Sequence, residues 1–240
     1  MEKEIKDHVV KAYKVFKKPG ISFWHKLGEI GIEVGIIVFA VTLSIWLHDI
    51  SEHNREQKDV KSFLLGLKND LTNDIIELRG DRDSYIRQGV TFNYIATPAP
   101  NFKISADSVK KYQPYLFNIT SFTPNNGKYE GFKSSGKLGN IEDDSLQNNI
   151  TELYQRIIPA ILLSTNGYTQ RKQALFQCFY ENLKKNKDGS NNMLVVLSSD
   201  EFVNISGSLI SITEIRNRYD AAIEKSQQII KEINADYGLN

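Results

Sequence analysis

The sequence predicts an all-α protein in which a single N-terminal transmembrane helix extends into an outward-facing helical bundle. Three observations carry that expectation. One apolar run near the N-terminus reaches bilayer length, a tryptophan stands at each end of it, and beyond it apolar residues recur every three or four positions.

The span comes first. From Val34 to Leu47 no residue is charged, and extending back to Ile30 gives eighteen residues interrupted only by Glu33. Fourteen residues alone would also suit a core helix, whereas eighteen reach the range of a spanning one. Trp24 and Trp46 bracket the run. At about 1.5 Å per residue they stand roughly 33 Å apart, close to the hydrocarbon thickness, and are expected to be the interface anchors. A cleaved signal peptide fits less well, since a long segment precedes the apolar run and no small-x-small site follows Leu47. The chain is accordingly divided into a basic cytoplasmic or interfacial segment (1–26), the transmembrane helix (27–48), a helical stalk (49–97) and a helical domain (98–240).

Lysines set the orientation. Residues 1–26 hold seven lysines against three acids, and residues 48–63 hold Arg55, Lys58 and Lys61 against four acids. The positive-inside rule then places Met1 in the cytoplasm and the large domain outside, in the periplasm if the membrane is a bacterial inner membrane. Ile5, Val9, Tyr13 and Phe16 fall at helical spacing opposite lysines, so the first segment is read either as a helix on the anionic inner leaflet or as a solvated one.

Within the span, Gly31 and Gly35 form a small-xxx-small pair that lets a second helix approach closely. Glu29 and Glu33 repeat at i,i+4, and a carboxyl at Glu33 lies near the bilayer midplane, where insertion costs on the order of 2.5–3.5 kcal/mol for comparable charges. These four residues are the expected association surface, with Glu33 assisting the glycine face. The lipid bilayer and further copies of the chain are therefore the first partners expected, followed by a membrane or periplasmic protein.

Beyond Asp49 the helical pattern continues through Val60, Leu64, Leu67, Leu71, Ile75 and Leu78, a seam that serves a coiled coil or an intramolecular hairpin equally well. Thr97-Pro98-Ala99-Pro100 should end it. Short helices are expected at Ala106–Tyr112, capped by Ser105, and at Asn125–Ser135, stopped by Gly136. A long helical stretch over 143–185 should kink at Pro159, and a last helix should run from Ser199 to about Asp236.

The chemistry-bearing residues are sparse. Net charge is +1, which gives no case for nucleic acid. A lone cysteine, Cys178, excludes an intramolecular disulfide and is read as core packing within an aromatic stripe. All four histidines precede residue 54, so the large domain has neither the commonest general base nor the commonest metal ligand. His48, Asp49, Glu52 and His53 are read as polar surface and not as a metal site. Asp70, Asp74, Glu77 and Asp81 are read as a solvated acidic face. Neither a cofactor nor an enzymatic activity is expected. The Asn118, Asn149 and Asn204 sequons match a glycosylation pattern that an asparagine-rich chain produces by chance, and they carry no functional weight here.

The segment GEIGIEVGIIVFAVTLSIWLHD (28–49), followed by FLLGLKNDL (63–71), and the later segment YEGFKSSGKLGNIEDDSLQNNITELY (129–154) stand in a recognisable order. Together they resemble an uncharacterised Bacteroidota-type family of single-pass membrane-anchored helical proteins, a domain of unknown function. Leu47-His48 depart from the Asn-Glu that usually follows the exit tryptophan there. The resemblance implies an inner-membrane protein with an outward helical domain, and no reaction. The function expected is a non-enzymatic membrane scaffold or sensor that self-associates through its span. The alternative is an oligomeric pore or ion-coupled component that uses the intramembrane glutamates.

Overall fold

A computed structural model describes residues 10, 23–97 and 104–238, and these form two compact units, Met1–Asp59 and Val60–Asn240. The amphipathic pattern expected of Ile5, Val9, Tyr13 and Phe16 lies outside the described residues, as does the side chain of Glu29. The fold is all-α: no strand occurs among the described residues, only an isolated antiparallel bridge between Lys185 and Asn191.

Helix α1 runs unbroken from Phe23 to Ala96. Neither proline nor glycine interrupts residues 49–65, which is why the apolar segment passes into the polar one without a turn. Its part in the first unit includes the one stretch, among the described residues, long and apolar enough to cross a membrane, and none of that stretch is buried. In the second unit the α1 seam turns inward. Val60, Leu64, Leu67, Leu71, Ile75 and Leu78 are all buried, continued by Tyr85, Phe92 and Ile95. This chain's own helices cover the seam, so the intramolecular alternative is the one realised.

Helices α2 (Ala106–Leu116), α3 (Gly127–Ser134), α4 (Asp144–Glu152), α5 (Ile158–Asn182), α6 (Met193–Leu197), α7 (Asp200–Gly207) and α8 (Thr213–Tyr237) complete the bundle. Ser105 and Gly136 bound their helices as expected, and Asp143 supplies a further cap. Ser105 accepts a hydrogen bond from Ser108 N at 3.2 Å, Asp143 accepts from Ser145 N at 2.7 Å, and Gly136 ends α3 with φ 74°. One core joins the seam to Tyr129, Leu146, Ile161, Tyr168, Tyr219 and Ile233 among others. Tyr85 is central to it, edge-on to Tyr168 at 5.3 Å and donating its hydroxyl to Thr120 O at 2.6 Å. Cys178 is buried, and burial raises its thiol pKa, as core packing requires.

Two expectations need correction. The last helix is not continuous from Ser199: α7 stops at Gly207, and residues 208–212 turn before α8 begins. Ser199 caps α7 as expected, but Leu209 plugs into the core and Tyr168 donates to its carbonyl at 3.3 Å, which outweighs helix continuation through a Gly-Ser pair. Gly89 on α1 permits this turn, because a Cβ there would stand 3.1 Å from Ile210 O. The deformation at Pro159 is also not a simple kink. Leu153–Ile157 form one π-helical turn between α4 and α5, which absorbs the missing N–H and the ring clash one turn upstream of the proline.

Candidate functional site

On the apolar part of α1, the candidate span, Gly31 and Gly35 do not share a face with Glu33. Gly31 and Gly35 have nothing within 4 Å of a would-be Cβ, so their side of the helix is open to a close neighbour. At about 100° per residue, Glu33 projects roughly 180° away from the midpoint of that pair. The helix therefore carries a glycine face and, opposite it, a carboxylate face where Glu33 is half-exposed. Trp24 and Trp46, the expected interface anchors, are 77% and 57% exposed. Past the span, His48 lies 3.8 Å from Glu52 and Arg55 lies 4.0 Å from it, a polar pairing on exposed surface.

The acidic stripe on α1 is not a solvated face. Asp74 is 1% exposed and Asp70 9%. They receive the chain between α2 and α3, which runs antiparallel to α1. Tyr85 donates to Thr120 O, Glu77 accepts from Thr123 N at 3.0 Å, Asp74 accepts from Asn125 N at 3.1 Å and from its Nδ2 at 2.6 Å, and Asp70 accepts from Lys128 Nζ at 2.6 Å. The spacing explains the fit. From Tyr85 back to Asp74 a helix rises about 16 Å, and from Thr120 to Asn125 an extended chain covers about 16–17 Å. Thr120 and Phe122 point inward while Ile119, Ser121 and Thr123 face solvent. The carboxylates thus replace the neighbouring strand that this segment lacks, satisfying its backbone donors.

Asp81 ends the stripe and accepts from Tyr219 Oη at 3.4 Å. Burial, with Glu77 nearby, pushes its carboxyl up to about 6. A raised carboxyl stabilises the fold below the unfolded value of 3.8 and loses that contribution as pH rises through about 6. Asp81→Asn keeps an acceptor without the charge. It is expected to raise the melting temperature by a few degrees at pH 8, on the order of 1 kcal/mol, and to change nothing at pH 4. Thermal melts at the two pH values check this.

The least legible residue is Lys172 on α5, 2% exposed. Its Nζ lies 2.6 Å from Gln88 Oε1, 2.5 Å from Asn118 O, 3.0 Å from Asn118 Oδ1 and 3.0 Å from Tyr115 O. All of these acceptors are neutral. The amide nitrogens of Gln88 and Asn118 turn the other way, donating to the hydroxyl pair Ser84 and Thr120 at 3.1–3.3 Å. Burial pushes Lys172 down to about 7. Its donors are all directed at fixed acceptors, so its work is to clamp residues 115–118 against α1 and α5. In sequence, Lys172 sits in TQRKQ, where nothing distinguishes a buried lysine from a solvated one.

A sequence model described as a family of unknown function, DUF6090, matches residues 33–218. That match takes in the α1 seam, the carboxylate ladder and Lys172. No curated protein and no solved structure matches the chain.

Proposed function

This chain belongs to the DUF6090 family, a family of unknown function, and we propose that it is a non-enzymatic membrane-anchored scaffold or sensor that self-associates through its transmembrane helix and presents its helical domain in the bacterial periplasm. The observation that carries this reading is the surface of α1 between Ile30 and Trp46. Ile32, Phe39 and Ile45 are 66%, 68% and 57% exposed, which in water would be an aggregating surface and in lipid is a solvated one. The lysine excess of residues 1–26 supports a cytoplasmic N-terminus.

Self-association rests on the open glycine face. Gly35→Ile places a branched side chain where a neighbouring backbone would pack, and is expected to cut the signal of a membrane two-hybrid reporter several-fold. The opposed position of Glu33 divides the outcomes. A symmetric dimer built on the glycine face tolerates Glu33→Leu, whereas a ring in which the carboxylate face of one copy meets the glycine face of the next loses association with either substitution. The ring is the geometry in which the pore reading has force, and there Glu33→Gln would abolish an ion leak while leaving the oligomer intact. A reporter signal unchanged by Gly35→Ile refutes association through this face.

A further inference from the structure

The α1–α2 hairpin of the second unit contains a half-open groove of about 230 Å³ that the membrane reading does not use. Ile86, Arg87 and Val90 of α1 form one wall, and Lys111, Tyr112 and Tyr115 of α2 form the other. Its body is apolar, with Val90 57% and Ile86 37% exposed along it. Two cations stand at its rim, one from each helix, and none of the lining residues is acidic. The groove is held from behind. Tyr112 packs on Tyr94 with ring centres 4.7 Å apart, and Lys172 grips the Tyr115 carbonyl at 3.0 Å, which fixes the backbone that carries the Tyr115 ring.

We propose that this groove binds a small organic carboxylate, a single aromatic ring or a short aliphatic chain bearing one anionic group, with Arg87 and Lys111 receiving the anion. Size sets the class: a cavity of about 150 Å³ already holds benzene, so the groove accommodates a substituted ring and excludes a folded partner. Charge sets the polarity. Arg87 donates to Tyr115 Oη at 3.0 Å and lies 5.8 Å from that ring, while Lys111 Nζ stands 5.3 Å from the centre of Tyr112. A ring face holds an exposed cation only weakly, whereas a charged acceptor forms stronger, charge-assisted hydrogen bonds with it. A carboxylate therefore outcompetes the rings for both cations. Asp83 acts on Arg87 from the next turn of α1, and its own carboxylate is engaged by Arg82 at 3.1 Å, so Arg87 remains available to an incoming anion. An inorganic anion alone would leave the apolar walls uncovered, and a neutral ring would leave the cations unanswered.

Equilibrium dialysis of 4-hydroxyphenylacetate and of hexanoate tests the inference. The full-length protein is held in phospholipid nanodiscs, with empty nanodiscs as reference. At least one of the two acids is expected to bind saturably, about tenfold tighter than its own amide. Arg87→Gln should weaken it about tenfold, and Val90→Trp, which fills the groove from an exposed position, should abolish it without lowering the melting temperature. Equal binding of acid and amide, binding unaffected by Val90→Trp, or saturable binding by neither acid up to about 10 mM overturns the proposal. Self-association is read by a different assay on different residues, so the groove and the membrane reading fail separately.

Discussion

Lys172→Met is expected to lower the melting temperature of the helical domain by about 10 °C. The substitution keeps most of the volume but leaves Gln88 Oε1, Asn118 O, Asn118 Oδ1 and Tyr115 O without their donor. Orphaning buried acceptors costs about 1–3 kcal/mol each when none can relax to water, so a net loss of about 3–4 kcal/mol is expected after relaxation. At roughly 2–4 °C per kcal/mol for a domain of this size, the shift is large and easily measured. The wild type carries a second signature. Between about 7, the folded value of Lys172, and 10.5, its unfolded value, the unfolded chain holds a proton that the folded one has released. Stability therefore rises with pH across that window, by up to about 1.4 kcal/mol per pH unit. Near pH 10 the rise is opposed by Tyr85, Tyr154, Tyr168 and Tyr219, whose raised values keep them protonated in the fold while the unfolded chain ionises. Denaturant titrations from pH 6.5 to 8.5, below the range in which the tyrosines act, should show the rise in the wild type and a flat line in Lys172→Met. A rise that survives the substitution would assign the titration to another group.

Asp74→Ala is expected to destabilise the domain by about 2–4 kcal/mol, because it removes a 1%-exposed acceptor that holds both the backbone and the side-chain nitrogen of Asn125. The effect should be local before it is global. Residues 120–126 are the chain that depends on the ladder, so hydrogen exchange at Thr123 and Asn125 should accelerate more than exchange along the α1 seam. Asp74→Asn keeps a carbonyl oxygen at the same place and drops a charge that burial disfavours. It should stay within about 1 kcal/mol of the wild type. Equal losses for the alanine and asparagine variants would mean that the charge, and not the acceptor, holds the segment.

These two residues mark where the sequence stops being informative. The all-α class, the long first helix and its end before Pro98 follow from periodicity and from one Pro-rich break, because those signals are local. The buried seam from Val60 to Leu78 was equally legible as apolar spacing. The acidic stripe was visible as well, but its burial depends on residues 120–128 lying back along it, a long-range pairing that i,i+4 spacing on one helix does not encode. Lys172 had no local mark at all: a lysine among polar neighbours becomes buried only because Gln88, Tyr115 and Asn118 converge from two other parts of the chain. The split of the last helix failed for a similar reason, since Leu209 leaves the helical path for a core position that the sequence does not reveal. On the apolar part of α1, helical phase places Gly31 and Gly35 on one side and Glu33 on the other.

The central claim, that residues 27–48 hold the chain in a bilayer with its helical domain outside, is tested most directly by one measurement. Alkaline phosphatase is fused after Asn240, and its activity is assayed on alkali-washed membranes. The account predicts an active fusion of full length that stays in the membrane fraction. Activity released into the soluble fraction would make the apolar stretch a cleaved leader, and an inactive fusion in washed membranes would reverse the orientation.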